Sequence, residues 1–471
     1  MSDQEIAIPR RPRGESLNDA VKPYVSMSTP PTRPVVGHYG TMRSDPLHNL
    51  QNVSRTYGDI VRLRVGRIPI VLVNHPDLIE RILVTEQKSF IKPALLHRAE
   101  ETLGKGLLTS EGDFWLRQRR LASPAFHKRK IEGYATSMVE RTRERIAGWN
   151  EGEIVDVHQQ MMALTLEIVT DALFGSSIDE KLIDEVHDIL EIALDRFMQY
   201  QTMMGMLFDW IPRPRKRRFF SALARLDEII MEIIESHRAK GIDPDDDATL
   251  LGTYLSMRDD EGKGMSDRQL RDECVTLFLA GHETTASALS FAFYLLSQNP
   301  EALGKLHEEI DTVIGDRVPS SADYMQLPYT RKVFAETLRL YPPAWRVGRE
   351  NLVDVTLGGY RIPAGTQFFA SQWSVHRDER WFEEPEAFRP ERWTEEFERS
   401  RPRYAYFPYG GGPRLCIGSG FADMEGALII ATVVQSFRLT YRGEIPPALY
   451  PSITLRPVNG MRMAISRRNG L

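Results

Sequence analysis

YGGGPRLCIG, residues 409–418, sets one cysteine behind three glycines, with Arg414 two positions before Cys416. An apolar run of helical character, GFADMEGALIIATVV (420–434), follows at once. A helix start presents unpaired N–H groups and the positive end of the helix dipole. Glycines let backbone amides approach a sulfur closely. Both effects lower a cysteine pKa and tune any metal it binds. Two plainer readings stand beside this one. An isolated cysteine is more often simply buried, here in a tight turn. A phosphate loop is the other, although its Gly-Lys-Ser/Thr ending is absent.

Upstream, Ser266 and Gln269 form a capping-box pattern, S-D-R-Q, ahead of an apolar stretch that runs to Gln298. Asn299-Pro300 ends it. Such a helix spans roughly 45 Å at about 1.5 Å per residue, so it crosses the whole molecule and is mostly buried. In its middle, VTLFLAGHETTASALSFAF carries AGHETT at 280–285. Gly281 costs about 1 kcal/mol against alanine there. A carboxylate beside two hydroxyls in a buried helix is costly unless paired or used. The plain alternative is a kinked helix whose threonines bond back to carbonyls.

Two weaker motifs lie elsewhere, the first in two parts. E-T-L-R puts Glu336 and Arg339 on one face of a helix predicted from Pro328 to Leu340. F-R-P-E-R-W (388–393) follows with Arg392. W-L-R-Q-R holds Trp115 and Arg119 four residues apart. Residues 60–73, IVRLRVGRIPIVLV, read as a hairpin turning at Gly66-Arg67, and Pro76 opens a helix. Stretches 355–370 and 451–466 are also β-like. These three pieces could pair into one small sheet, which periodicity alone cannot establish. The remainder is mostly helical.

The 471 residues are long for one core, yet no linker interrupts them. A net charge of −5 without blocks of one sign argues against nucleic acid as a partner. Two cysteines, Cys274 and Cys416, exclude a disulfide scaffold and a cysteine-rich zinc site. They fit a reducing, cytoplasmic compartment. No 18 residues in a row stay apolar, so no membrane span is expected. Residues 1–35 hold six prolines and read as an extended N-terminal arm.

Together the four motifs resemble the cytochrome P450 family, in its order and at compatible spacings, over roughly residues 35–465. Gly412, Arg414, Cys416 and Gly418 match its haem-binding signature, and AGHETT its oxygen-activation motif. One departure stands out. Tyr409 occupies the position where the family usually has Phe, and a phenol brings a hydrogen-bond donor into the loop.

The resemblance implies a mainly α fold with a small β subdomain and a long central helix over haem, residues 36–471 forming one catalytic domain. It implies haem b (iron protoporphyrin IX) as cofactor and Cys416 as iron ligand. Trp115, Arg119, Arg346 and Arg414 would hold the propionates, and Glu283 and Thr284 would pass protons toward dioxygen. Glu336, Arg339 and Arg392 would brace the loop presenting Cys416. The substrate pocket would draw on the loop 95–108 with Leu108, on MMGMLF (203–208), and on Phe278, Ala280, Ala344, Trp345 and Ile453.

The implied activity is a monooxygenase placing one oxygen atom of O2 into a lipophilic terpenoid, steroid or fatty acid. The alternatives are a haem-binding protein and a peroxide-driven peroxygenase of the same fold. No flavin or nicotinamide fingerprint is visible, so electrons are expected from a ferredoxin or flavodoxin with its reductase. Residues 117–130 contain Arg117, Arg119, Arg120, Lys128, Arg129 and Lys130 with no acid, and offer a docking face as readily as a solvated one. The cluster Arg213, Arg215, Lys216, Arg217 and Arg218 reads as a solvated loop rather than a membrane contact.

Overall fold

The computed structural model describes residues 21–175, 214–239 and 249–468, with scattered positions between 181 and 192. The expected pocket stretch 203–208 and the first twenty residues of the arm lie outside these.

The longer helices are α1 (Pro46–Tyr57), α2 (Gly112–Ala122), α3 (Lys128–Ala147), α4 (Val157–Phe174), α5 (Pro214–Ala239), α6 (Asp267–Gln298), α7 (Pro300–Val313), α8 (Pro328–Leu340) and α9 (Ser419–Ser436). Helix α6 starts and stops where its caps dictate. Ser266 N–H donates to Gln269 Oε1 at 2.8 Å and Gln269 N–H returns to Ser266 Oγ at 3.3 Å. The 32-residue helix runs through the molecular interior and packs most extensively on α4. Gly281 explains how closely. A β-carbon there would sit 2.9 Å from Val169 Cγ2 of α4, so the missing side chain lets the helices touch. Helix α8 occupies Pro328–Leu340 as expected, opened by a proline that has no N–H to waste.

The predicted hairpin forms strands Ile60–Val65 and Ile68–Val73. The latter pairs in parallel with Gln367–Ala370, which pairs antiparallel with Val347–Asn351, and that strand with Phe90–Ile91. The hairpin and the end of the second β-like stretch, Gln367–Ala370, therefore share one sheet, while Val355–Leu357 and Tyr360–Ile362 of that stretch form another with Lys22–Pro23. The third stretch joins neither. Arg462–Arg467 pairs with Phe437–Tyr441 and Ile154–Asp156, and Leu449–Pro451 folds against Leu455–Pro457. The reason is local. Phe437–Tyr441 emerges straight from the end of α9, the nearest available edge for the strands that follow. The end of the arm is anchored. Lys22–Pro23 pairs with Tyr360–Arg361, and Met27 is buried.

Two main apolar cores result among the described residues, beside two small clusters. The larger lies among the helices; the smaller lies under the sheet, with Val71, Ile79, Phe90, Phe368 and Phe407. The Cys416 loop bridges them. It leaves the sheet core at Phe407 and packs on the helical core through Tyr409 and Ile417.

Candidate functional site

The loop 409–418 is held by backbone contacts before any side chain acts. Cys416 N–H donates to the Tyr409 carbonyl at 3.0 Å, closing a tight excursion. Gly412 has φ +67°, and a β-carbon there would lie 1.9 Å from the Leu83 carbonyl oxygen. Only glycine fits. Helix α9 begins at Ser419, three residues past the cysteine. Cys416 is exposed by its accessible area yet densely surrounded by protein, so its sulfur opens onto an interior space. Burial raises the thiol pKa, while the Gly418 N–H donating to the sulfur and the nearby Arg119 lower it.

Within α6, Ala280 is exposed and Gly281 and Thr284 are half-buried, although most of the neighbouring turns are buried. The helix therefore borders an opening at AGHETT. Thr284 Oγ1 donates back to the Ala280 carbonyl at 2.8 Å. Glu283, 2% exposed, accepts from Thr454 Oγ1 at 2.5 Å, with Arg456 Nη1 at 3.8 Å. The acid–alcohol neighbours thus point to different polar groups in the described geometry.

Arg119 on α2 and Arg346 before the strand Val347–Asn351 are both half-buried, and neither guanidinium has a hydrogen-bond or carboxylate partner among the described residues. Burial holds the Arg119 pKa below its ordinary value, while Cys416 nearby pulls it back up. Burial takes Arg346 down to about 10. Its guanidinium carbon lies 4.5 Å from the Trp345 ring centre and 5.0 Å from that of Phe369. Buried planar cations without an acid are costly, and an anionic group with two carboxylates would relieve them. Arg414 already has protein partners. It donates to Phe90 O at 2.9 Å and pairs with Glu111, and it lies 5.5 Å from the Trp115 ring centre.

Lys92 was not foreseen. Its Nζ, buried 5.8 Å from the Trp115 ring centre, donates to the carbonyls of Leu107 and Ser110. Burial lowers its pKa to about 7, partly offset by Glu111. A single lysine inside FIKPALL (90–96) was the available signal.

The residues expected to brace the loop, Glu336, Arg339 and Arg392, are extensively bonded. Glu336 and Arg339, both fully buried, pair at 2.8 Å. Arg392 Nε donates to Glu336 Oε1 at 2.9 Å, and Trp393 Nε1 to Oε2 at 3.0 Å. Arg339 spends its other N–H groups on the carbonyls of His376, Pro385 and Ala387. His376 then accepts the Phe407 N–H at 3.0 Å, two residues before the cysteine loop. Trp393 closes the F-R-P-E-R-W stretch without being assigned a role from it, and His376 lies in no recognisable spacing.

Of the expected pocket residues, Ala280 and Ala344 are exposed, and Leu108 and Ile453 half-buried. Phe278 and Trp345 are placed differently. Each is about 2% exposed, Phe278 tilted against Phe174 at 5.4 Å and Trp345 donating Nε1 to Ser452 O at 2.9 Å. They are core side chains that support the wall from behind. Tyr409 does not use its phenol on the sulfur: the hydroxyl donates to Asp423 Oδ1 at 2.6 Å.

The cytochrome P450 family model matches residues 27–462. This chain belongs to the cytochrome P450 family. This P450 is 36% identical to cyclooctat-9-en-7-ol 5-monooxygenase of Streptomyces melanosporofaciens over 89% of its length and 90% of the relative's. It is 32% identical to pentalenene oxygenase of Streptomyces avermitilis, over 92% and 94%. The crystal structure of the cytochrome P450DA heme domain superposes with a TM-score of 0.86 at 27% identity, covering 96% of this chain and 99% of that one. The protein is thus a P450 monooxygenase that binds haem b and uses O2, a lipophilic substrate and a redox partner. No helix among the described residues is long and apolar enough to cross a membrane.

Proposed function

We propose that this P450 hydroxylates or epoxidises a terpenoid skeleton. The observation carrying this reading is the character of the surface open beside AGHETT. Ala280 is exposed there beside the half-buried Thr284 hydroxyl, and Ala344, Leu108 and Ile453, assigned to the same pocket by the family resemblance, would add hydrocarbon. Such a wall favours a lipophilic substrate that has no charge to satisfy. The names of two relatives, cyclooctat-9-en-7-ol 5-monooxygenase and pentalenene oxygenase, support the terpenoid class over steroids and fatty acids.

Haem b, when bound, supplies O–O cleavage and oxygen insertion, favoured by an electron-rich thiolate ligand. Cys416 would provide that thiolate, with the Gly418 N–H stabilising its charge. Arg119 and Arg346 would receive the propionates, and Trp115, Lys92 and Arg414 would close the same edge. Thr284 would hold a proton donor at its hydroxyl, and Glu283 would replenish it from the side of Thr454 and Arg456. The buried apolar wall of α6 keeps bulk water away.

Electrons would arrive from an acidic ferredoxin or flavodoxin at the first turn of α3. Lys128 and Arg129 are exposed there. The turn packs on the start of α9: a β-carbon on Gly420 would meet Ile131 Cδ1 at 3.3 Å. The rest of the basic stretch is less available, since Arg117 pairs with Asp259, Arg120 approaches Asp260, and Arg119 faces Cys416.

The test is a spectral titration with matched panels of terpene hydrocarbons, steroids and fatty acids, followed by product analysis under labelled O2. Terpenes are expected to shift the haem spectrum and yield singly labelled products. Turnover confined to fatty acids would overturn the substrate class. Turnover with peroxide but none with O2 and reductant would favour the peroxygenase reading. Thr284→Ala should divert reducing equivalents to hydrogen peroxide; fully coupled product formation would remove the proton role.

A further inference from the structure

Three consecutive residues near the start of α6 reach three different ways. Arg271 Nε donates to Asp227 Oδ1 of α5 at 2.6 Å, and its Nη1 to Asp272 Oδ1 at 3.0 Å. Asp272 Oδ2 accepts the Lys105 N–H at 2.8 Å. Glu273, fully buried, accepts the Leu107 N–H at 3.1 Å and Gln118 Nε2 at 3.4 Å. The backbone of 104–107 lies directly on the helix. A β-carbon on Gly104 would meet the Asp272 carboxylate at 2.0 Å, and one on Gly106 would meet Thr276 Oγ1 at 2.2 Å. Carboxylates on backbone N–H groups form charge-assisted bonds, stronger than ordinary ones. From the other side Lys92 Nζ holds the Leu107 and Ser110 carbonyls.

We infer that Asp272 and Glu273 form a latch that fixes the 104–110 loop on α6, and so set both the entry of substrate and the position of Leu108 over the pocket. Thr276, beneath Gly106, is one helical turn before Ala280, so the latched loop and the open helix face are neighbours. Arg271 ties α5 to the same point. The two carboxylates are positioning residues: they act on the substrate only through the loop. Taking the pocket to lie beside Ala280, as proposed above, opening the latch frees one wall and leaves the Cys416 loop and its brace untouched. An apolar wall alone does not need this arrangement. A buried carboxylate such as Glu273 costs stability, and burial raises its pKa to about 7.

The test uses the haem-loaded full chain and 4-phenylimidazole, a rigid probe whose nitrogen ligates haem iron. Its association and dissociation rates are followed by stopped flow in wild type, Asp272→Ala, Glu273→Ala and Glu273→Gln. Amide hydrogen exchange is read over residues 104–110. The alanine variants are expected to exchange there about tenfold faster, the equivalent of one lost bond. Both rate constants should rise in them, with a smaller change in Kd. Glu273→Gln keeps an oxygen acceptor and should stay near wild type. Gly106→Ala, which displaces the same loop without touching either acid, should resemble the alanine variants even if one of those fails to fold. Unchanged exchange at 104–110 in all three loosened variants, or unchanged probe rates despite faster exchange, would overturn the latch. Absence of any spectral response in wild type counts against the haem assignment instead, and the exchange measurement still decides the latch.

Discussion

The Tyr409 hydroxyl donates a 2.6 Å hydrogen bond to Asp423, a carboxylate on the second turn of the helix that follows Cys416. The same tyrosine accepts the Cys416 N–H through its carbonyl. One residue therefore fastens the cysteine loop to both its own backbone and the next helix.

Tyr409→Phe leaves Asp423 without that donor. Burial already raises the Asp423 pKa, and the tyrosine bond lowers it again. A loss of about 1–2 kcal/mol is expected, read as a lower midpoint in denaturant unfolding. The absorption maximum of the reduced, CO-bound protein should not move, because the phenol is committed to Asp423. A shifted maximum would mean that the hydroxyl reaches the sulfur.

Removing Arg392 takes one of two cations from Glu336 in a site with no exposure, leaving Arg339 as its remaining ion-pair partner. Arg392→Ala should cost about 1.5–3 kcal/mol and lower haem retention after purification. Arg389→Ala serves as control. The Arg389 backbone N–H donates to Glu336, while its side chain reaches only the exposed Glu383 and Glu384. Its stability should change by less than about 0.5 kcal/mol. Equal losses in the two variants would contradict the brace.

Reversing charge at Lys128 and Arg129 should slow reduction by an acidic ferredoxin and flatten its dependence on salt, as expected where charge steers the encounter. Stopped-flow reduction at several ionic strengths measures this. Identical rates and salt slopes would move the docking face elsewhere.

Glu425 gives a pH signature. It is 1% exposed on α9, and burial raises its pKa from 4.5 to about 8, with the Thr285 hydroxyl lowering it in part. The folded protein therefore keeps a proton that the unfolded chain releases. Its contribution is complete below pH 4.5 and fades as the pH rises to about 8. Glu425→Gln, which cannot ionise, should gain stability relative to wild type across that interval. Parallel stability curves for the two proteins from pH 5 to 8 would contradict a neutral Glu425.

What the sequence disclosed follows from locality. The α6 boundaries were legible because Ser266, Gln269 and Pro300 sit within one turn of the ends they determine. Residues 409–418 were legible because glycines, arginine and cysteine share one loop. Contacts between distant segments were not. Asp423 meets Tyr409 only after the loop folds back onto α9, and Trp393 and His376 reach the brace from separate turns. The roles of the Asp272 and Glu273 carboxylates were not legible, since no spacing rule announces acceptors for backbone 166 or 167 residues away. The third β-like stretch has the right alternation, yet alternation carries no information about which edge a strand will find.

The contact between Gly281 and Val169 limits how this protein can be redesigned. Any bulk added at 281 drives α6 and α4 apart, so that position is closed to engineers who wish to reshape the chamber. Ala280, next to it, has no such neighbour pressing on it and can grow inward. A library aimed at new product profiles should therefore vary 280 and leave 281 alone.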